Sequence, residues 1–283
     1  MKILVTGSTG FIGSYLVEEL LNQGHQIIAT SFIASKAFDK VWFKKVEYIP
    51  YEISTTIPKN DLFKFFKCPD LVIHLAWEGL PNYNDLIHIE KNLFSQYHFL
   101  NNLISNGLKK LVVTGTCMEY GMQNGCMYEN SNTNPQNSYA IAKDTLRKFI
   151  DILSDKFNLD FKWIRLFYMY GKGQSSSSLF SQLDNAIANH DSEFKMSPGD
   201  QLRDFLTVET VVKNIAKIAL QDKHNGIFNC SSNEPKSVRR LVEEYLESKK
   251  VNIKLNLGYY NYSTLEPLSF WGDNTKLKKC IDE

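Results

Sequence analysis

The run "KILVTGSTGFIGSYLVEELLNQG", residues 2–24, organises everything that follows it. It starts as a short β-branched strand, passes through Gly7, Gly10 and Gly13, and continues as a helix with Ile12, Leu16, Leu20 and Leu21 on one face. Gly24 marks the helix stop. At this spacing the first glycine permits a tight turn, the second lets a phosphate approach the backbone, and the third allows close helix–strand packing. Free N–H groups at the helix start then face an anion. A glycine triplet alone is a weak signal, but between a strand and a helix it points to a dinucleotide site.

Outward from this unit, short apolar runs alternate with longer amphipathic segments. The strand readings are "KILVT", "HQIIAT", "VEYIP", "LVIHLA", "KLVVTG" and "FKWIRLF". Each is almost continuously apolar, as strands covered by helices on both faces require. Segments 85–106 and 138–157 read as the other strong helices. The fold class is therefore α/β, a doubly wound (Rossmann) parallel sheet with a smaller C-terminal substrate lobe. Beyond residue 168 the pattern loosens into "GKGQSSSS" and "KMSPGDQLRD", and it returns to the sheet at "GIFNCSS" before a helix near 237–248. This assigns 1–167, with a return around 205–232, to the dinucleotide-binding domain, and 168–204 and 233–283 to the smaller lobe.

Composition narrows the functional classes. The chain has 283 residues and 43% hydrophobic content, ample for a large core. Lys plus Arg number 32 against 31 Asp plus Glu, a formal charge of +1, which gives no reason to expect nucleic acid or a membrane surface as partner. No apolar run approaches the roughly 18 residues of a membrane span, and the first strand begins at Lys2, so a soluble, unsecreted, cytoplasmic protein is expected. Five cysteines without a CxxC, and six histidines without ligand spacing, argue against a disulfide scaffold or a metal site.

Two further features carry chemistry. In a dinucleotide fold an acid at the end of the second strand binds the adenosine ribose, and a base in its place favours a 2′-phosphate. Here the strand ends "ATSFIASK", where Ser31, Ser35 and Lys36 stand without an acid, so NADP is expected over NAD. Further on, "SYAIAKD" places Tyr139 and Lys143 four apart on one helical face, after the turn-rich, cap-bearing "NTNPQNS". A tyrosine needs a nearby cation to work as an acid near neutrality, and a lysine supplies that field.

With these residues in view, the chain resembles the extended short-chain dehydrogenases/reductases that act on nucleotide sugars. The resemblance covers nearly the whole sequence, through "TGSTGFIG", "VIHLAW", "EKNLFSQYHFLNNL", "VTGTCMEYG", "SYAIAKD", "IRLFYMYGKGQ", "QLRDFLTVETVV", "IFNCSS" and "EPLSFWGDNTKLKK". It implies that Thr116 hydrogen-bonds the reacting oxygen, Tyr139 donates the proton, and Lys143 binds the nicotinamide ribose and lowers the tyrosine pKa. It implies cofactor contacts from Gly7, Thr9, Gly10, Phe11, Ile12, Gly13, Ser31, Lys36, Glu52, Ile53, Leu75, Ala76, Trp77 and Asn92, and from Tyr139 and Lys143 as well. Substrate contacts are implied for Trp77, Glu78, Tyr83, Thr116, Cys117 and Tyr168, with Arg203 on the diphosphate of a nucleotide sugar. Tyr168 stands where the family usually has asparagine; a phenol retains a hydrogen-bond donor there. The family's four-helix pairing implies a homodimer through helices 85–106 and 138–157.

"TGTCMEYG" separates the family's reactions by what it lacks. Sugar dehydratases follow the hydroxyl residue with Asp-Glu, where this chain has Cys117 and Met118. Methionine transfers no proton, and a lone thiol would have to replace two carboxyls. Members that epimerise beside the keto carbon pair a cysteine, at the place of Met118, with a histidine that "FYMYGKGQSSSSLFSQ" does not contain. The expectation is NADPH-dependent reduction of the C4 keto group of a nucleotide-linked 4-keto-6-deoxy sugar. An NAD-dependent nucleotide-sugar 4-epimerase is the alternative, and a non-catalytic dinucleotide-binding redox regulator the alternative of another class. Glu119 is expected to be structural, and His74 a core strand residue.

Overall fold

Every run that reads as a strand pairs in parallel in one sheet of the computed structural model, which describes residues 1–262 and 266–282. Across the sheet the strands are Gly226–Cys230, Asp160–Leu166, Lys110–Thr116, Leu71–His74, Lys2–Thr6, Gln26–Thr30 and Glu47–Tyr48. The seventh strand is the "GIFNC" return. From Lys2–Thr6 the chain builds outward in one direction through Glu47–Tyr48, then crosses to the other side at Leu71–His74. The crevice between these two strands, at their carboxyl ends, is the topological switch point where such sheets bind ligands.

The pleat sends alternate residues into two cores. Ile3 and Val5 join Leu16, Val17, Leu20, Val211, Ile215 and Leu277 on one face. Leu4 joins Phe99, Leu100, Leu146 and Ile150 on the other. Helices Phe11–Asn22, Val208–Leu220 and Thr275–Asp282 cover the first face, and Phe94–Ser105 and Ser138–Phe157 the second. With side chains this completely buried, truncation of Leu4 or Leu146 to alanine costs about 2–5 kcal/mol.

A third core gathers Phe180, Leu183, Phe194, Val242 and Leu246 beneath the short strands of the later chain. Two crossings tie the later chain to the first 167 residues. Strand Gly125–Met127, from within 1–167, pairs with Ser269–Gly272, and the last helix returns Leu277 to the first core. The segment read as one helix over 85–106 is in two parts, a π turn at His88–Leu93 and an α-helix at Phe94–Ser105. The wider turn brings His88, Asn92 and Leu93 inward together, and all three are buried.

Candidate functional site

At the switch point Thr6 draws the two strand ends together. Its hydroxyl bonds His74 Nδ1 at 2.9 Å and accepts from the N–H groups of Leu75 and Ala76 at 3.1 and 3.2 Å. Burial holds the His74 imidazole down at about 3, so it stays neutral, as its core placement implied. Gly7 has φ +66°, and a Cβ there would meet Ala76 N at 2.9 Å. A Cβ on Gly13 would meet the Gly7 carbonyl oxygen at 2.2 Å, so the third glycine serves helix–loop packing.

Beside this loop lies a groove of about 280 Å³, lined by Gly7, Thr9, Gly10, Ser31, Lys36, Ile53, Leu75, Ala76, Trp77 and Glu78 among the expected residues. Helix Phe11–Asn22 opens without a side-chain cap, leaving its first N–H groups to a ligand. Thr30 Oγ1, buried in the groove wall, has no hydrogen-bond partner among the described residues. A dinucleotide fits this set: helix amides for the phosphates, an unpaired hydroxyl and an apolar wall. Residues 30–33, Tyr51 and Gln96 line the groove as well. Phe32, Tyr51 and Gln96 escaped sequence reasoning because no spacing marks them.

Trp77 links the groove wall to two of the expected catalytic side chains, its ring centre 5.8 Å from that of Tyr139 and 4.1 Å from Lys143 Nζ. Asn137 caps helix Ser138–Phe157, accepting from Ala140 N at 2.8 Å, and so fixes the turn that carries Tyr139. Tyr139 is buried among Trp77, Tyr83 and His88, with ring centres 5.8, 5.7 and 5.4 Å away. Lys143 Nζ donates to the Thr114 carbonyl at 2.9 Å. Thr116 ends its strand, and its hydroxyl accepts from Met118 N at 3.3 Å.

One electrostatic expectation is corrected. The Tyr139 phenol lies above its ordinary value, raised by burial and then by Tyr83, Glu119 and Cys117, with a Thr116 hydrogen bond opposing them. Burial also lowers Lys143 to about 7, which weakens the cationic field that this lysine was expected to supply.

Directly after Thr116, Cys117 and Met118 line a second cavity of about 230 Å³ together with Tyr83, Asn137, Tyr168 and Glu266, among others. Burial pushes the Cys117 thiol up to about 12, so it is neutral at pH 7 and a poor acid or base. Tyr168 forms part of the wall, also raised by burial, under the Arg203 guanidinium at 5.3 Å. Arg203 is 3% exposed, donates to the Leu202 carbonyl at 2.9 Å and pairs with Glu266 at 3.0 Å.

The other expected residues divide between the groove wall and the structure around it. Asn92 is buried and donates to the Glu78 carbonyl at 3.0 Å, bracing the loop. Glu78 lines the same groove as Trp77 rather than the second cavity, and pairs with Lys91 at 2.8 Å. Glu52 is exposed, while its neighbour Ile53 enters the groove. Phe11 and Ile12 pack against the core of the first face. His88, unmarked in the sequence, receives the Trp77 indole N–H at 3.0 Å and steadies that ring. Among the described residues no cluster of His, Cys, Asp or Glu could hold a metal ion, and no helix is long and apolar enough to cross a membrane.

The sequence matches the family described as "Epimerase: NAD dependent epimerase/dehydratase family" over residues 3–231. It is 32% identical to the dTDP-6-deoxy-L-talose 4-dehydrogenase (NAD(+)) of Aggregatibacter actinomycetemcomitans, across 96% of this chain and 99% of the relative. The dTDP-4-dehydro-6-deoxyglucose reductase of Escherichia coli is 25% identical across 91% of this chain and 84% of its own length. Among solved structures, the UDP-glucuronic acid 4-epimerase of Bacillus cereus with UDP-glucuronic acid and NAD has a TM-score of 0.84 at 23% identity. That match covers 100% of this chain and 93% of the other, a likeness of fold.

Proposed function

Because the chain belongs to the NAD dependent epimerase/dehydratase family, we propose that it is a nucleotide-sugar 4-ketoreductase, acting on a nucleotide-linked 4-keto-6-deoxy sugar. The observation that carries the reading is that Tyr139 and Lys143 both pack on Trp77 of the groove wall, while Thr116 directly precedes Cys117 and Met118 in the wall of the second cavity. Neither the raised thiol nor a thioether removes a proton from a sugar carbon at neutral pH, which leaves a redox step at the carbonyl. Two relatives carry names for chemistry at C4 of dTDP-linked 6-deoxy sugars, which supports the same step.

A nicotinamide dinucleotide, when bound, supplies the hydride. Tyr139 gives its phenolic proton to the oxygen that becomes a hydroxyl, and a phenol raised by burial is fully protonated for that task. Thr116 hydrogen-bonds the same oxygen, and Lys143, when protonated, favours the tyrosinate left behind. Arg203 meets the diphosphate. The aromatic enclosure of Trp77, Tyr83 and His88 keeps water from the reacting centre.

NADP as the preferred cofactor rests on Ser31 and Lys36 in the groove wall and on the missing acid at the end of the second strand. The relative named for NAD(+) keeps the other preference in view. The division into lobes at 167 and 204, and pairing into a homodimer, belong to the same proposal; Phe94 and Ile152, exposed on the two outer helices, support the pairing.

The deciding experiment incubates purified protein with NADPH and a panel of nucleotide-linked 4-keto-6-deoxy sugars. Loss of NADPH in step with product supports the reductase. Isomerisation without net cofactor use sinks it in favour of the epimerase, and tight dinucleotide binding with no turnover favours the regulator.

A further inference from the structure

We propose that Glu119 is a positioning residue, one that fixes Thr116 through a buried ionic clamp. The inference rests on the reading above that the Thr116 hydroxyl meets the reacting oxygen. Glu119 and Arg165 are 0% and 1% exposed and pair at 2.7 Å. The carboxylate also accepts from the Trp163 indole N–H at 3.0 Å and from the backbone N–H of Thr116 at 2.9 Å. Thr116 completes the box by accepting, through its own hydroxyl, from the first turn after the strand. Arg165 is held in turn, with its guanidinium 4.3 Å from the Tyr120 ring centre and a bond to the Glu129 carbonyl at 3.2 Å.

The sequence around the clamp is shaped to admit it. A Cβ on Gly115 would meet Trp163 Nε1 at 2.1 Å and Glu119 Oε1 at 2.4 Å, so the residue before Thr116 has to be small. Buried ion pairs are poor stabilisers, because desolvation offsets most of the attraction and a well-packed apolar pair does as well or better. What this pair supplies, and an apolar one does not, is a directed acceptor for the Thr116 N–H at the end of a strand. The strand end leads into a loose 3₁₀ turn, so without that acceptor the hydroxyl has no fixed place beside Tyr139.

The test compares two double variants with the native protein. Glu119→Leu with Arg165→Met removes the acceptor and both charges together. Glu119→Gln with Arg165→Met removes the charges and keeps an acceptor. The Leu/Met variant is expected to bind NADPH normally and to lose kcat about a hundredfold at unchanged KM, the scale of a roughly 1 Å misplacement. The Gln/Met variant is expected to regain most of that loss. Native kcat in a folded Leu/Met variant, or no recovery with Gln, overturns the proposal.

Should the double variants fail to fold, Gly115→Ala displaces the carboxylate from the opposite side and is expected to show the same selective fall in kcat. The Thr116 methyl resonance gives a readout that needs no substrate. It should shift in the Leu/Met and Ala variants and hold in the Gln/Met variant. An unmoved methyl overturns the clamp even if the ketoreductase reading stands, and a moved methyl in a protein that reduces no keto sugar overturns that reading alone.

Discussion

Lys143 Nζ lies 4.1 Å from the centre of the Trp77 ring while it donates to the Thr114 carbonyl. The amine is thus enclosed by an indole face and a strand end, and burial brings it from 10.5 to about 7. A base whose folded pKa is depressed binds fewer protons folded than unfolded between these two values, so this group makes stability rise with pH from about 7 to 10.5. Lys143→Met should therefore be more stable than the native protein below pH 7, with the advantage fading toward pH 10.5. The difference slope should approach about 1.4 kcal/mol per pH unit. Denaturant titrations of both proteins across this range check it; parallel curves would mean that Lys143 stays charged when buried.

Tyr139→Phe keeps the ring between Trp77, Tyr83 and His88 and deletes the proton. It should lower kcat by about 10²–10⁴ while leaving NADPH affinity near native. Single-turnover kinetics and fluorescence titration measure the two quantities separately. A variant that keeps most of its rate would show that another group protonates the oxygen.

The sheet was legible because each strand is an unbroken apolar run and Gly7, Gly10 and Gly13 fall at a strand–helix junction, both local patterns. Tyr139 and Lys143 were legible for a similar reason, since helix geometry puts residues four apart on one face. The groove wall was not. Gln96, Tyr51 and Phe32 come from separate elements, and three-dimensional packing alone joins them to Gly7. The electrostatics were misread because charge proximity can be inferred from spacing, whereas the desolvation that raises Tyr139 depends on Trp77, Tyr83 and His88 closing over it. The Asn92 bond to the Glu78 carbonyl was not legible either, because it depends on the π turn that opens this helix.

Lys36 is exposed at the groove wall and makes no ion pair among the described residues, so its charge is available to a 2′-phosphate. Lys36→Glu should turn the preference between NADPH and NADH toward NADH by about tenfold, the scale expected when one exposed attraction gives way to a repulsion. Steady-state kcat/KM for both cofactors gives the ratio. An unchanged ratio would place the selectivity elsewhere and remove the main support for NADP.

Arg203 and Glu266 make opposite predictions about one ligand. Arg203 is almost wholly buried, oriented by the Leu202 carbonyl, and its outer nitrogen faces a Glu266 side chain that is 49% exposed at the cavity wall. A diphosphate that reaches this guanidinium has to compete with that carboxylate. Arg203→Lys, which loses the planar fork, should raise KM for the nucleotide sugar with little change in kcat. Glu266→Gln should do the reverse, tightening the binding of a free nucleoside diphosphate such as dTDP several-fold, because a neutral amide yields more readily to an anion. Calorimetry on the two variants decides the matter: if both weaken dTDP alike, Glu266 is itself a contact of the substrate and not its competitor.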